Sequence, residues 1–449
     1  MNCKYETFSW YYLTSGLVHS YILPIKYRNS AVFQHLTIGF IKNQPNFATL
    51  YLVNKDLTYI CNTNSAVMNE QFILQIIENN FELSLGFVCV VGFIVNQFFS
   101  KKALIIAKRK ELFAEMNHRS SHSTPTPSFG GISLFVVFVC AALVTIGIGS
   151  SHTLGFVVLS AFILFMSGLK DDLMGTSART KLLVQIGTAV LVLLNSELAV
   201  THLSGFFGIE AISPVAGFLI SLGFIVFIVN AYNLIDGIDG LAGIVAIIAF
   251  SVFGVYYYVN GDTFLSLIMA AMIGALVSFL SWNFASEKRK MFMGDTGSLV
   301  IGFLLAVNSL IIVAQQPLNP EPFFVPQNSV VFILSVLVIP ILDTVRIIVI
   351  RLSNGQKPWV ADRNHMHHLL LDKGLSHKQA TFCLASLQVI AIIGYIGVNN
   401  LGPVAQHLFL ICLFSTYAMI FFSASVTRKL GKNGKGFQKL SSVLRTLLP

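Results

Sequence analysis

Asn230–Val245 reads NAYNLIDGIDGLAGIV, two asparagines and two aspartates spaced by glycines between strongly apolar stretches. Polar and ionisable side chains at the edge of a membrane span are costly to hold there, and by default they mark a functional site. The flanks decide the fold. Val215–Val229 and Leu241–Tyr258 are apolar runs on the scale of a hydrocarbon core of ~30 Å, and similar runs recur along the chain. Of 449 residues, 55% are hydrophobic and 11% charged, where a soluble domain carries roughly 25% charged. Such a chain cannot cover a water-facing surface, so lipid is its main solvent.

About eleven spans are expected: Leu83–Phe99, Gly131–Gly149, Leu154–Leu169, Leu182–Leu198, Val215–Val229, Leu241–Tyr258, Phe264–Leu280, Leu299–Val313, Val330–Ile348, Phe382–Val398 and Val404–Phe422. Several fall short of the ~20 residues a perpendicular helix needs, so flanking polar residues are expected to continue the helices. Backbone groups in lipid must be satisfied within the segment, which requires helices. The runs lack the two-residue alternation of a barrel. The expected fold class is an all-α integral membrane protein, a polytopic helical bundle.

Lys and Arg set the orientation. From Met68 onward all 24 fall in five segments, 100–129, 170–181, 287–291, 346–378 and 423–449. The alternate loops carry Glu197, Glu210, Asp262 and Glu321 instead. The positive-inside rule places the basic segments in the cytoplasm, with the first span entering from outside and the C-terminus inside. The net charge of +9 is thereby read as topology plus attraction to anionic lipid, with no call for nucleic acid. The six cysteines are scattered, none in CxxC spacing, so neither a disulfide framework nor a zinc site is indicated.

Residues 1–67 do not match the rest. They show no sustained apolar period and no spanning stretch, and they lack a secretory cleavage pattern. They are read as an N-terminal extension of uncertain status, with a membrane domain over 68–427 starting at or near Met68. Residues 428–449 read as a basic cytoplasmic tail, either an amphipathic helix on the inner leaflet or a frayed end.

Four polar clusters fall on the basic face: Asp171-Asp172, Asn230 to Asp239, Met293 to Ser298, and Asp362 to His368. Adjacent carboxylates at Asp171 and Asp172 could accept a proton or orient a nucleophile. They could equally flank the next helix or pair with Lys170, Arg179 or Lys181. Asn233, Asp236 and Asp239 are spaced by three, one face of a helical turn, and oxygen ligands of this kind suit Mg²⁺ or Mn²⁺. Asp295, between two glycines, is read as a metal ligand or a helix N-cap. Arg363 with His365, His367 and His368 could hold a diphosphate; zinc is disfavoured because no cysteine lies near and the carboxylates suit a harder cation. Asp343 and Arg346, at i and i+3, are read as a structural ion pair.

These residues resemble the polyprenyl-phosphate N-acetylhexosamine-1-phosphate transferases. The likeness runs from about Ser84 to Arg428 and rests on PxxGG at Pro127–Gly131, Asp171-Asp172 with Lys181 nine residues on, NxxNxxDGxDGLA at Asn230–Ala242, MGDxGSL at Met293–Leu299 and DRxHxHHxL at Asp362–Leu370. Five matches in order on one face are more specific than any one alone. The resemblance implies transfer of a sugar-1-phosphate from a UDP-sugar to undecaprenyl phosphate, with release of UMP, at the cytoplasmic side of a bacterial inner membrane. It implies Asp295 as the Mg²⁺ ligand with Asn233 as a second, and Asp171 as the base, with direct attack preferred to a covalent intermediate. Asp172, Asp236 and Asp239 would orient the nucleotide, a neighbouring lysine or the metal shell, and Asn230 and Lys181 belong to the same substrate-binding set. Arg363 and the histidines would hold the donor's phosphates. The DRxHxHHxL form resembles the N-acetylglucosamine branch, the phospho-MurNAc-pentapeptide transferase being the alternative, and a homodimer is left open. A transporter, from another class, would place its ionisable groups nearer the midplane.

Overall fold

The computed structural model describes residues 80–111, 126–147, 152–314, 324–357 and 365–429, together with five short strands between Tyr11 and Cys61. Arg363 lies outside the described residues, as does the tail beyond Lys429. The chain divides into two units, Met1–Phe81 and Glu82–Pro449.

In the first unit, β1 (Tyr11–Ser15), β2 (Val18–Ile25), β3 (Gln34–Ile41), β4 (Thr49–Asn54) and β5 (Leu57–Cys61) form an antiparallel sheet in sequence order. The sequence reading found no sustained apolar period there and assigned no element. Each strand is short and rich in Tyr, Val, Ile, Leu and Thr, residues that favour a pleated surface without building a long period.

The second unit is helical: α1 (Phe81–Arg109), α2 (Gly130–Gly147), α3 (His152–Met174), α4 (Ala178–Leu193), α5 (Pro214–Ile235), α6 (Leu241–Val259), α7 (Thr263–Asn283), α8 (Gly294–Ala314), α9 (Ser329–Val336), α10 (Val338–Ser353), α11 (Met366–Asp372), α12 (His377–Val398) and α13 (Pro403–Lys429). A two-stranded hairpin, β6 (His202–Phe206) with β7 (Ile209–Ala211), joins α4 to α5. Among the described residues nine helices are long and apolar enough to cross a membrane, and α9 with α10 forms a bent apolar pair that meets the same test only when the two are taken together. Each expected apolar stretch falls on one of these helices or on α4. With 16 residues, α4 is about 24 Å long at 1.5 Å per residue, short of a full crossing.

The helices run past their apolar stretches, as the span lengths required. α3 continues to Met174, so Asp171 and Asp172 are still helical; α5 continues through Asn230 and Asn233; α8 begins at Gly294, so Asp295 lies in its first turn. The polar residues therefore sit on rigid helix ends. α8 is buried along nearly its whole length and forms the core against α3, α5 and α2. The outer helices expose Leu83 and Phe87 on α1 and Val404 and Leu408 on α13, apolar surface that lipid covers.

The α9–α10 span bends by 83°. Pro340 supplies the cause, because it has no N–H for the Val336 carbonyl and its ring would crowd that carbonyl in a straight helix. Gln388 of α12, fully buried, donates its Nε2 to the freed Val336 carbonyl at 2.8 Å and to Val245 O at 3.2 Å. A broken helix inside a bundle is tolerated when neighbours satisfy the liberated backbone group. Gln388→Leu is expected to lower stability by about 1–3 kcal/mol, the cost of leaving a buried acceptor unmet, read as a drop in thermal unfolding temperature in detergent.

Candidate functional site

α8 begins where α3 ends. The Asp172 carboxylate accepts from the Asp295 N–H (2.9 Å), the Thr296 N–H (2.9 Å) and the Thr296 hydroxyl (2.5 Å). These are unpaired N–H groups of a helix N-terminus, where a carboxylate is favoured. Asp172 therefore caps α8 from another helix. Both its oxygens accept hydrogen bonds, which makes Asp172 a positioning residue for Asp295.

Glycines let the backbones meet. Gly294 has φ +71°, and a Cβ there would lie 2.3 Å from Ser128 O and 2.6 Å from Asp172 Oδ2. Gly131 lies against the start of α8, so that a Cβ would fall 2.1 Å from Gly297 N. The PxxGG element pairs with the approach to Asp295 through Gly130 N to Phe292 O, Gly131 N to Met293 O and Phe292 N to Pro127 O, each 2.9 Å. Two motifs more than 160 residues apart thus form one turn.

Asp295 is shared. Lys181, from the first turn of α4, donates to Asp295 Oδ2 and pairs with Asp171 Oδ2 at 3.0 Å. Asp171 Oδ1 accepts from the Thr176 N–H (2.6 Å) and hydroxyl. Asn233 donates its Nδ2 to Asp295 Oδ1 (2.8 Å) and Ser298 Oγ (2.7 Å). As placed, Asn233 orients the Asp295 carboxylate, and its amide oxygen is the atom left for a cation.

Asp236 closes α5. Among the described residues no donor is recorded for its carboxylate, and burial together with the charges of Asp295, Asp172 and Asp239 pushes its carboxyl up to about 7. Asp239 is tied differently, pairing with Lys290 at 2.6 Å and His377 at 3.4 Å, while Thr381 donates to its backbone carbonyl. Its contacts hold the loop to α12. Gly240, φ +79°, faces the Phe284 ring and donates its N–H to Asn283 Oδ1 at 2.6 Å, and Asn283 Nδ2 donates to Met291 O. Asn230 stands apart: its amide pairs both ways with Gln185 of α4 (2.6 and 3.3 Å) and donates to Val226 O. It joins two helices one turn inward of Asn233.

The histidines meet the acidic loop. His365 and His367 are stacked at 5.7 Å and 10°, and His367 lies 4.3 Å from His368, centroid to centroid. A Cβ on Gly237 would fall 2.3 Å from His367 Nε2. Burial and the neighbouring histidines push the His367 imidazole down to about 3, so it is neutral at physiological pH. Asp343 anchors the cluster, accepting from His365 Nδ1 and the Met366 N–H, both at 2.9 Å. Arg346, its expected partner, is at 3.8 Å. The available signal was that Asp343 is the lone acid in the apolar run 330–350. Thr176, Gln185 and Asn283 escaped the sequence reading, and Thr296 was named there without a role, because hydroxyls and amides gain such roles only from their neighbours.

Fold and site together define a class: a multi-pass membrane protein whose helix ends assemble a carboxylate–lysine–histidine centre. Residues 154–313 match glycosyl transferase family 4. A decaprenyl-phosphate N-acetylglucosaminephosphotransferase of Mycolicibacterium smegmatis is 30% identical over 345 residues, 72% of this chain and 84% of the relative. A probable undecaprenyl-phosphate N-acetylglucosaminyl 1-phosphate transferase of Bacillus subtilis is 29% identical, covering 74% and 88%. The undecaprenyl-phosphate alpha-N-acetylglucosaminyl 1-phosphate transferase of Escherichia coli is 29% identical, covering 77% and 94%. The chain belongs to this family of polyprenyl-phosphate N-acetylhexosamine-1-phosphate transferases.

Gly237→Ala is expected to displace His367 and cut sugar-phosphate transfer by about tenfold or more, as loss of positioning does, with the unfolding temperature little changed. Steady-state turnover beside a thermal melt checks this.

Proposed function

We propose that the protein transfers N-acetylglucosamine-1-phosphate from UDP-N-acetylglucosamine to undecaprenyl phosphate, releasing UMP and starting a lipid-linked glycan. The observation that carries this reading is the convergence of Asp171, Lys181, Asn233, Asp236 and Asp295 beside a histidine cluster at one end of the bundle. In the sequence, Asp171 and Lys181 and the histidines fall within two of the five basic segments, which supports a cytoplasmic site in a bacterial plasma membrane. The relatives' names support the donor sugar and the polyprenyl acceptor.

The donor set fits a magnesium ion. It consists of carboxylate and amide oxygens, ligands for a hard cation. Among the described residues no three His, Cys, Asp or Glu side chains are grouped to close around an ion. Mg²⁺ is typically held by one or two carboxylates, keeping waters and taking substrate phosphate oxygens. Asp295 and Asp171 would hold it, with the Asn233 amide oxygen and Asp236 close by. When bound, the cation neutralises charge on the diphosphate.

The chain's own groups do the remaining work. Phosphoryl transfer depends on positioning and charge more than on covalent chemistry. An oxygen of the acceptor phosphate attacks the sugar-bearing phosphorus as the bond to the UMP oxygen breaks. The second ionisation of a phosphate monoester lies near 6, about one unit below neutral pH, so the acceptor needs alignment more than deprotonation. Thr176 and Lys181 hold the Asp171 carboxylate in place, with a lone pair of Oδ2 left to take a proton. Lys181 and Arg363 counter the phosphate charge, the histidines offer it hydrogen bonds, and direct attack requires no covalent enzyme intermediate.

Purified protein is expected to transfer radiolabel from UDP-N-acetylglucosamine, and not from UDP-MurNAc-pentapeptide, into undecaprenyl phosphate. EDTA should abolish transfer and Mg²⁺ restore it. Asp295→Asn should lose about 10²-fold or more, as removal of a key transition-state charge contact does. Full turnover by that variant at saturating Mg²⁺ would exclude the site. Removing residues 2–67 should leave transfer intact, the transferase unit lying in the helical part of the chain; lost assembly or turnover would show that they belong to it.

A further inference from the structure

We infer that Asp343 is a positioning residue for the transfer reaction: it fixes which nitrogen of His365 faces the substrate and seats the histidine cluster against the acidic loop. This rests on the transfer reading above and extends it to a residue outside the matched motifs.

The argument begins with burial. Asp343 is 1% exposed and His365 5%. A buried carboxylate is costly unless its oxygens are met. Asp343 Oδ2 faces His365 Nδ1 and Oδ1 accepts from the Met366 N–H, both at 2.9 Å. A carboxylate can only accept, so Nδ1 must carry the hydrogen. A hydrogen bond at one imidazole nitrogen sets the state of the other. Nε2 is then the atom left for substrate, an acceptor when the ring is neutral and a donor when it is charged. Arg346 at 3.8 Å and Tyr417 of α13 also lie near Asp343.

The second consequence is mechanical. Met366 opens α11, and Asp343 belongs to α10, which the bend at Leu337 swings by 83° from α9. One carboxylate thus fastens the start of α11 to the displaced half-helix. His365 stacks on His367, and His367 Nε2 abuts Gly237 beside Asp236. A straight α9–α10 span would carry Asp343 in a different direction. The link therefore runs from the proline bend, through Asp343, to the diphosphate end of the site.

An asparagine at this position could accept with its oxygen or donate with its nitrogen, and so would no longer select one tautomer. Asp343→Asn is expected to lower kcat by about 10–100-fold, the usual loss when a histidine's supporting partner is removed, with a smaller change in KM for the UDP-sugar. On a His365→Gln background the same substitution should change kcat by no more than about twofold, because the two residues act as one unit. Asp343→Glu, which keeps the charge, should recover at least part of the loss. ¹⁵N spectra of histidine-labelled protein, with His365 assigned by the His365→Gln difference, should show hydrogen on Nδ1 in the wild type and a mixture in Asp343→Asn. Wild-type kcat in Asp343→Asn, an undiminished effect on the His365→Gln background, or hydrogen on Nε2 in the wild type would each overturn the inference. Should Asp343→Asn fail to fold, Asp343→Glu decides: a retained Nδ1 hydrogen with kcat well above that of His365→Gln supports the inference, and its absence overturns it. A wild type that transfers nothing counts against the transfer reading alone, since the tautomer is read without turnover.

Discussion

The carboxylate of Asp172 on the first turn of α8 is the contact on which the site depends. A helix start leaves N–H groups unpaired, and at a buried junction water does not reliably supply partners. Asp172 does so from the end of α3, and in doing so fixes the turn that carries Asp295. The glycines at 131, 168, 294 and 297 serve the same junction. At Gly168 a Cβ would lie 2.6 Å from Asp295 O. Any side chain at these positions would force α2 or α3 away from α8, and Lys181 would no longer reach both Asp171 and Asp295.

With that junction fixed, charge is distributed in a consistent way. Two carboxylates share one lysine, a third, Asp236, has no donor recorded among the described residues, and a fourth, Asp239, is held by Lys290 and His377. Excess negative charge at a partly buried site favours a cation, and a cation there favours phosphate. The histidine side supplies neutral and polar groups, with His367 kept uncharged by burial. The bent α9–α10 span matters because it brings Asp343 to that side. Its cost in backbone hydrogen bonding is offset by Gln388 from α12.

Much of the fold was legible because lipid leaves few options. An apolar stretch near 20 residues must be helical to satisfy its backbone, so each expected stretch falls on a helix even where its ends moved. The ends moved because polar residues such as Asp171 and Asn233 extend helices, which hydropathy alone does not register. The bend at Leu337 was less legible: Pro340 was visible, but whether a proline kinks or breaks a span depends on who receives the freed carbonyl. The strands in residues 11–61 were missed because each is too short for a period to stand out.

By itself the sequence determined that this chain lives in lipid, that its polar motifs share one face, and which family it resembles, since these follow from composition, charge asymmetry and ordered motifs. It could not divide labour among side chains of one type. Asn230 and Asn233 are three residues apart on one helix, yet one joins α5 to α4 and the other orients Asp295. Asp171 and Asp172 are adjacent, yet one meets Lys181 and the other caps α8. Asp343, read as the partner of Arg346, keeps that pair at 3.8 Å and also meets a histidine 22 residues away. Only the tertiary structure decided these roles, because a polar atom's function is set by the donor or acceptor packed against it, and those partners come from helices distant in the chain.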